Sequence, residues 1–201
     1  NMLDVSISAR SVNDEEKAQG LRSVEWCRTP FVLATPDQTP VSDLSLQQVA
    51  DIYNGKTKTW PDNSKIRLVV RPASDSDTTL LQSFSPAVAQ AVTRSLGYEG
   101  VKMGVNDLDT VEALESIKGS LGQTALVLIS KGKHKLKPLK INGVEPSIEN
   151  LKSGAYAHQK TFYITTRTNN SVEARQFAQF LVSPRSQKIL NAHGCLFTYQ
   201  P

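Results

Sequence analysis

The feature that most limits the fold is an alternation: strand-length apolar runs are separated, along the whole chain, by segments that open on Ser, Asn or Asp and close near a glycine. Residues 3–9 alternate apolar and polar side chains at period two, and residues 66–70 form a compact apolar run, so both are predicted strands. Asn13 and Glu16 have capping-box spacing and start a short helix that Gly20 ends. Ser45 caps a helix in which Leu46, Val49, Ala50 and Tyr53 recur at three- and four-residue spacings, and Gly55 stands where a left-handed cap is wanted. Further helices are predicted over 78–84, 86–96 and 110–117, the last with Asp109 and Glu112 in capping-box register. Two closing helices, 171–181 and 184–192, are joined through Ser183-Pro184. Extended structure is predicted at 24–35, 123–130 and 161–166 from β-branched and aromatic content. Strands and helices taking turns define an α/β chain.

Composition removes several classes of function. With 39% hydrophobic and 21% charged residues, the chain can bury a core. No apolar run approaches the roughly 20 residues that span a bilayer. The opening residues, 1–9, lack the basic start and apolar middle of a secretion signal, so any such signal is outside this sequence. The net charge of +4 is spread along the chain. Its densest basic stretch, 131–137, carries Gly132 and no aromatic platform, which reads as a solvated loop and argues against nucleic acid as a partner. Cys27 and Cys195 have no metal-ligand spacing; they are either one long-range disulfide in an exported protein or two separate buried thiols. His134, His158 and His193 form no ligand-spaced pair, and the nucleophile-elbow, phosphate-loop and dinucleotide glycine patterns are absent. Nothing calls for a cofactor.

Two polar clusters hold the candidate chemistry. The stretch Arg71-Pro-Ala-Ser-Asp-Ser-Asp-Thr-Thr79 follows a predicted strand and precedes a predicted helix. Free backbone N–H groups at a helix start, the hydroxyls of Ser74, Ser76 and Thr78, and a bidentate Arg71 together suit an oxyanion. The plainer reading is that Ser76 or Asp77 caps the helix while Arg71 pairs with a neighbouring carboxylate. The second cluster sets Ser6 and Ser8 on one strand face with Arg10 beyond them, aimed at a cleft or merely solvated. Asp107 and Asp109 are accounted for by capping. The stretch from Asp75 to Thr79 also matches the Asp-x-Asp-x-Thr motif of haloacid-dehalogenase-like phosphatases, with Asp75 as nucleophile and Asp77 beside it. In that family the motif leaves its first strand directly, whereas Arg71 to Ser74 intervene here.

The order of several longer segments resembles the solute-binding proteins of phosphate importers. Asp4-Val-Ser-Ile-Ser-Ala-Arg10 is similar to that family's Asp-(apolar)-x-x-Ser-x-Arg strand, and Pro30-Phe-Val-Leu-Ala34 to the strand entering its second lobe. Leu44 to Lys56, followed by Trp60, resembles its Leu-Ser-x-x-x-(apolar)-x-x-Ile-Tyr-x-Gly-Lys helix and tryptophan. Arg71 with Ser76-Asp-Thr78 resembles the family's Arg-x-x-x-Ser-Gly-Thr with one residue more. Gly143-Val-Glu-Pro146, Gly154-Ala-Tyr156, Phe162-Tyr163 and the closing helices ending at Gly194 complete the likeness.

The resemblance implies a two-lobed type II periplasmic-binding fold, with lobe one at 1–32 and 163–201 and lobe two at 33–162. It implies phosphate or a related small oxyanion held in a cleft between the lobes without chemistry by Ser6, Ser8, Arg10, Arg71, Ser74, Ser76, Asp77 and Thr78. It also implies export to the periplasm or beyond, an ABC permease as partner, and no cofactor; a sensory or adhesion module is the alternative use of the fold. Two departures bear on the ligand. Asp77 replaces a glycine that lets backbone approach the anion, so its carboxylate repels a dianion unless it turns away or accepts a proton from a monoprotonated ligand. The family's opening strand, helix and strand, with a Gly-Ser-rich loop, have no counterpart before Asp4, leaving the first lobe and the implied site incomplete.

Overall fold

The computed structural model describes residues 3–130 and 134–200. In chain order the elements are β1 (Val5–Ser8), α1 (Asp14–Ala18), β2 (Leu21–Pro36), β3 (Asp43–Leu44), α2 (Leu46–Tyr53) and β4 (Arg67–Val70). There follow α3 (Ser76–Gln82), α4 (Pro86–Ser95), β5 (Lys102–Met103), α5 (Asp107–Ser116), β6 (Ser120–Ala125) and α6 (Leu126–Ile129). The last third holds β7 (Leu136–Pro138), β8 (Lys140–Ile141), α7 (Ile148–Ser153), β9 (Gln159–Arg167), α8 (Val172–Leu181), α9 (Pro184–Ala192) and β10 (Leu196–Phe197). The chain divides into two compact units, Asn1–Thr29 with Lys160–Pro201, and Pro30–Gln159. Among the described residues no helix is long and apolar enough to cross a membrane.

The central unit, 30–159, is a sheet covered on both faces. β6 runs antiparallel to β2 with Phe31 opposite Ala125, and parallel to β4, which is in turn parallel to β5. Alternation along β2 sends Phe31 and Leu33 to one face and Val32 and Ala34 to the other. The first pair packs with Val49, Tyr53, Leu81, Val88 and Leu121; the second packs with Val69, Val111, Leu114 and Ile129. Burial on both faces explains why 31–34 reads as a continuous apolar run with no polar alternation. Trp60 fixes one end of this unit, donating its indole N–H to Gly119 O at 3.0 Å. Gly119 adopts φ 72°, and a Cβ there would run into the Lys65 carbonyl oxygen.

The terminal unit is built on β1 antiparallel to β9, with Ser6 opposite Thr165, and on β10 antiparallel to β2, with Phe197 opposite Cys27. Its buried apolar side chains are Val12, Cys27, Ile164, Ala174, Leu181 and Cys195, while Phe177, Phe180 and Ile189 on its closing helices are exposed.

Local capping chemistry behaves as the residues predict at many ends. Asn13 and Ser45 each form the full capping box, with Glu16 and Gln48, and Ser85, Ser171 and Ser183 cap α4, α8 and α9. Elsewhere the structure corrects the sequence. The predicted strand 123–130 ends at Ala125, because Leu126 and Leu128 pack beside Ile129 from a helical turn. The helix expected at 110–117 starts at Asp107, since Asn106 and not Asp109 is the cap; Asn106 Oδ1 accepts from Asp109 N at 2.9 Å. The helix expected from Thr78 starts at Ser76, capped by Asp75 instead of Ser76 or Asp77. The basic stretch is not wholly a solvated loop. Lys131 to Lys133 lie outside the described residues, but Leu136 is buried, β7 pairs with β2, and Lys137 Nζ donates to Thr39 O at 2.6 Å. The helix at Ile148–Ser153, capped by Ser147, was not among those predicted.

Candidate functional site

In the central unit the polar cluster is organised by one buried cation. β4 delivers the chain into the interior at Val69 and Val70, so the next side chain, Arg71, is only 7% exposed. Its Nη2 donates to Asp75 Oδ2 at 2.6 Å and lies 3.8 Å from Asp107 Oδ1, and its Nη1 is 3.4 Å from Thr110 Oγ1. Nε is buried without a hydrogen-bond partner among the described residues. Asp75 has two tasks, because its other oxygen accepts from Asp77 N at 2.8 Å to cap α3. Parallel pairing of β5 with β4, Val70 opposite Met103, brings the start of α5 alongside Arg71. Gly104 continues that approach: it donates to Val70 O at 2.9 Å, and a Cβ on it would strike Thr110.

The candidates of this cluster occupy different environments. Thr78 is buried, and its hydroxyl donates to Pro72 O at 2.8 Å and lies 3.2 Å from Arg71 O, holding the loop closed over the arginine. Asp77 is 1% exposed, so its side chain is turned into the protein. Ser74 and Ser76 are exposed. Thr110 and Asp107 were read in the sequence only as helix-start residues, yet they complete the surroundings of Arg71. The signal that finds them is long-range strand pairing, which no local motif carries.

In the terminal unit Ser6, Ser8 and Arg10 line a cavity of about 300 Å³ together with Glu16, Thr165 and Arg167. The register of β1 on β9 puts Thr165 across from Ser6, and Ser8 Oγ lies 3.3 Å from Thr165 Oγ1 while donating to Arg10 O at 2.7 Å. Arg10 is not a free clamp: it makes two 2.7 Å bonds to the Glu16 carboxylate. The Arg10 hydrogen bond, then the Asn13 backbone N–H, pull the Glu16 carboxyl down to about 2. Arg167 was not singled out from sequence; its Nε is buried without a hydrogen-bond partner among the described residues, and its backbone N–H donates to Asn170 Oδ1. Hydroxyls and guanidinium groups thus gather in each unit separately, Arg10 and Arg71 each paired with a carboxylate beside it.

A family model described as a PBP superfamily domain matches residues 1–185. The chain belongs to that superfamily. It is 24% identical over 206 residues to the phosphate-binding protein PstS of Borreliella burgdorferi, covering 96% of this chain and 71% of that protein. It is also 24% identical over 217 residues to PstS of Staphylococcus saprophyticus, covering 98% of this chain and 65% of that one. The chain therefore spans about two thirds of the length of these relatives. A Clostridium perfringens structure, assigned as a phosphate ABC transporter substrate-binding protein and holding phosphate, superposes with a TM-score of 0.73. At 22% identity it covers 98% of this chain and 79% of its own, a likeness of fold.

Proposed function

We propose that this chain is a solute-binding protein of the phosphate-importer type, one that holds phosphate or a related small oxyanion without transforming it and serves an ABC permease after export. The observation that carries the reading is Arg71, a buried guanidinium whose Nε has no hydrogen-bond partner among the described residues and whose Nη1 lies 3.4 Å from the Thr110 hydroxyl, in a chain whose relatives are named phosphate-binding proteins. A buried arginine holds a planar array of donors in a fixed geometry, which suits recognition of an oxyanion more than turnover of one. Ser74, Ser76, Asp77 and Thr78 are proposed as its companions in the central unit, with Thr78 acting through the loop it closes, and Ser6, Ser8 and Arg10 as the ligand-binding residues of the terminal unit. In the competing phosphatase reading Asp75 would be a nucleophile, but both of its oxygens are committed, one to Arg71 and one to Asp77 N.

Calorimetry with inorganic phosphate, and separately with sulfate, tests the proposal. One-to-one phosphate binding that disappears in Arg71→Met is the expected outcome. Heats indistinguishable from dilution for both anions would overturn it, as would magnesium-dependent release of phosphate from p-nitrophenyl phosphate.

A further inference from the structure

Two thiols that the sequence sets at opposite ends of the chain meet inside the terminal unit. Cys27 lies on β2 and Cys195 just before β10, whose antiparallel pairing with β2 puts Phe197 opposite Cys27 and Leu196 opposite Arg28. The segment carrying Cys195 is pinned on several sides. Thr29 Oγ1 donates to Gly194 O at 2.7 Å, Cys195 N to Leu190 O at 3.0 Å, and Thr198 N to Trp26 O at 3.0 Å. Both cysteines are 1% exposed and both are thiols, and the pairing of Leu196 with Arg28 and of Phe197 with Cys27 sets Cys195, one residue before Leu196, diagonally across from Cys27 on the neighbouring segment. We infer that Cys27 and Cys195 are a disulfide-forming pair that fastens the end of the chain to β2.

The chemistry balances with an external disulfide as oxidant. The thiolate of one cysteine attacks that disulfide, forms a mixed disulfide and expels one thiol. The sulfur of the other then attacks the protein-side sulfur, forms Cys27–Cys195 and expels the second thiol; two protons and two electrons leave the pair and reduce one disulfide to two thiols. Timing follows from the setting. Hydrogen bonding to Cys195, then burial, pushes the Cys27 thiol well above its ordinary value, so the docked Cys27 is a poor nucleophile. The bond forms as the chain folds in an oxidising medium and is thereafter shielded from exchange, as a structural disulfide and not a switch. It closes nearly the whole chain into one loop, the arrangement in which a cross-link most restricts the unfolded state. The inference is independent of what the protein binds.

The test is refolding of the full chain in a buffer of reduced and oxidised glutathione, followed by alkylation with iodoacetamide in denaturant and intact-mass measurement. The expected product carries no alkyl group and is lighter by two hydrogens than the reduced chain, and dithiothreitol lowers its melting midpoint by roughly 5–15 °C. Cys27→Ala with Cys195→Ala, refolded alongside, should melt near the reduced protein and ignore dithiothreitol. Two alkylated cysteines after oxidative refolding, or two glutathione adducts, would overturn the inference whether or not phosphate binds.

Discussion

Arg71 Nη2 stands 2.6 Å from Asp75 Oδ2, and that same carboxylate caps α3 through Asp77 N. One acidic residue therefore sets the start of a helix and holds the cation that would meet a ligand. An anion reaching Arg71 competes with Asp75. Asp75→Asn keeps a good cap but removes the competing charge, so phosphate should bind several-fold more tightly by calorimetry. Arg71→Met should weaken phosphate at least about 100-fold, close to 2.7 kcal/mol.

Asp77 is the second lever on affinity. Its carboxylate stands one residue before Thr78 in the first turn of α3, at a position where the resembled family has glycine. Asp77→Asn preserves shape and removes a negative charge, and should tighten phosphate about tenfold, or 1.4 kcal/mol. An unchanged dissociation constant in that variant would mean this loop does not face the anion.

Acid should weaken the terminal unit through one carboxyl in particular. The Glu16 carboxyl, held near 2 by Arg10 and the Asn13 N–H, has an ordinary value of 4.5 when unfolded. A depressed carboxyl stabilises the fold at pH above the unfolded value and loses that contribution as pH falls from about 4.5 towards about 2. Urea unfolding across that window should show stability falling with acid, and Glu16→Gln should flatten the fall.

Backbone geometry supplies a prediction in the central unit. Gly119 sits at φ 72°, accepts the Trp60 indole and has the Lys65 carbonyl where a side chain would go. Gly119→Ala should destabilise the protein by about 2–4 kcal/mol in denaturant unfolding while leaving Arg71 and its loop unaltered.

What was legible in the sequence was mostly local. Caps at Asn13 and Ser45 depend on side chains reaching backbone three residues on, and residue type reveals them. Leu126 to Ile129 were misread because a short apolar run fits a strand or a buried helical turn equally well, and only the packing with Ile117 and Leu114 decides. The Arg71 loop was visible as a cluster, and pairing with a nearby carboxylate was foreseen. Thr110 and Asp107 were hidden because β5 brings them there from far along the chain, and Thr165 and Arg167 because the β1–β9 register does the same in the terminal unit.

The uneven distribution of buried apolar side chains carries a dynamic consequence. Both large clusters lie within residues 31–156, whereas the terminal unit buries only a few scattered side chains and leaves Phe177, Phe180 and Ile189 in solvent. Amide protons of β1, β9 and α8 should therefore exchange with deuterium well before those of β4 and β6, and opening of the terminal unit should precede global unfolding. A single melting temperature would then average two events, which calorimetry would register as a van't Hoff enthalpy below the heat actually absorbed.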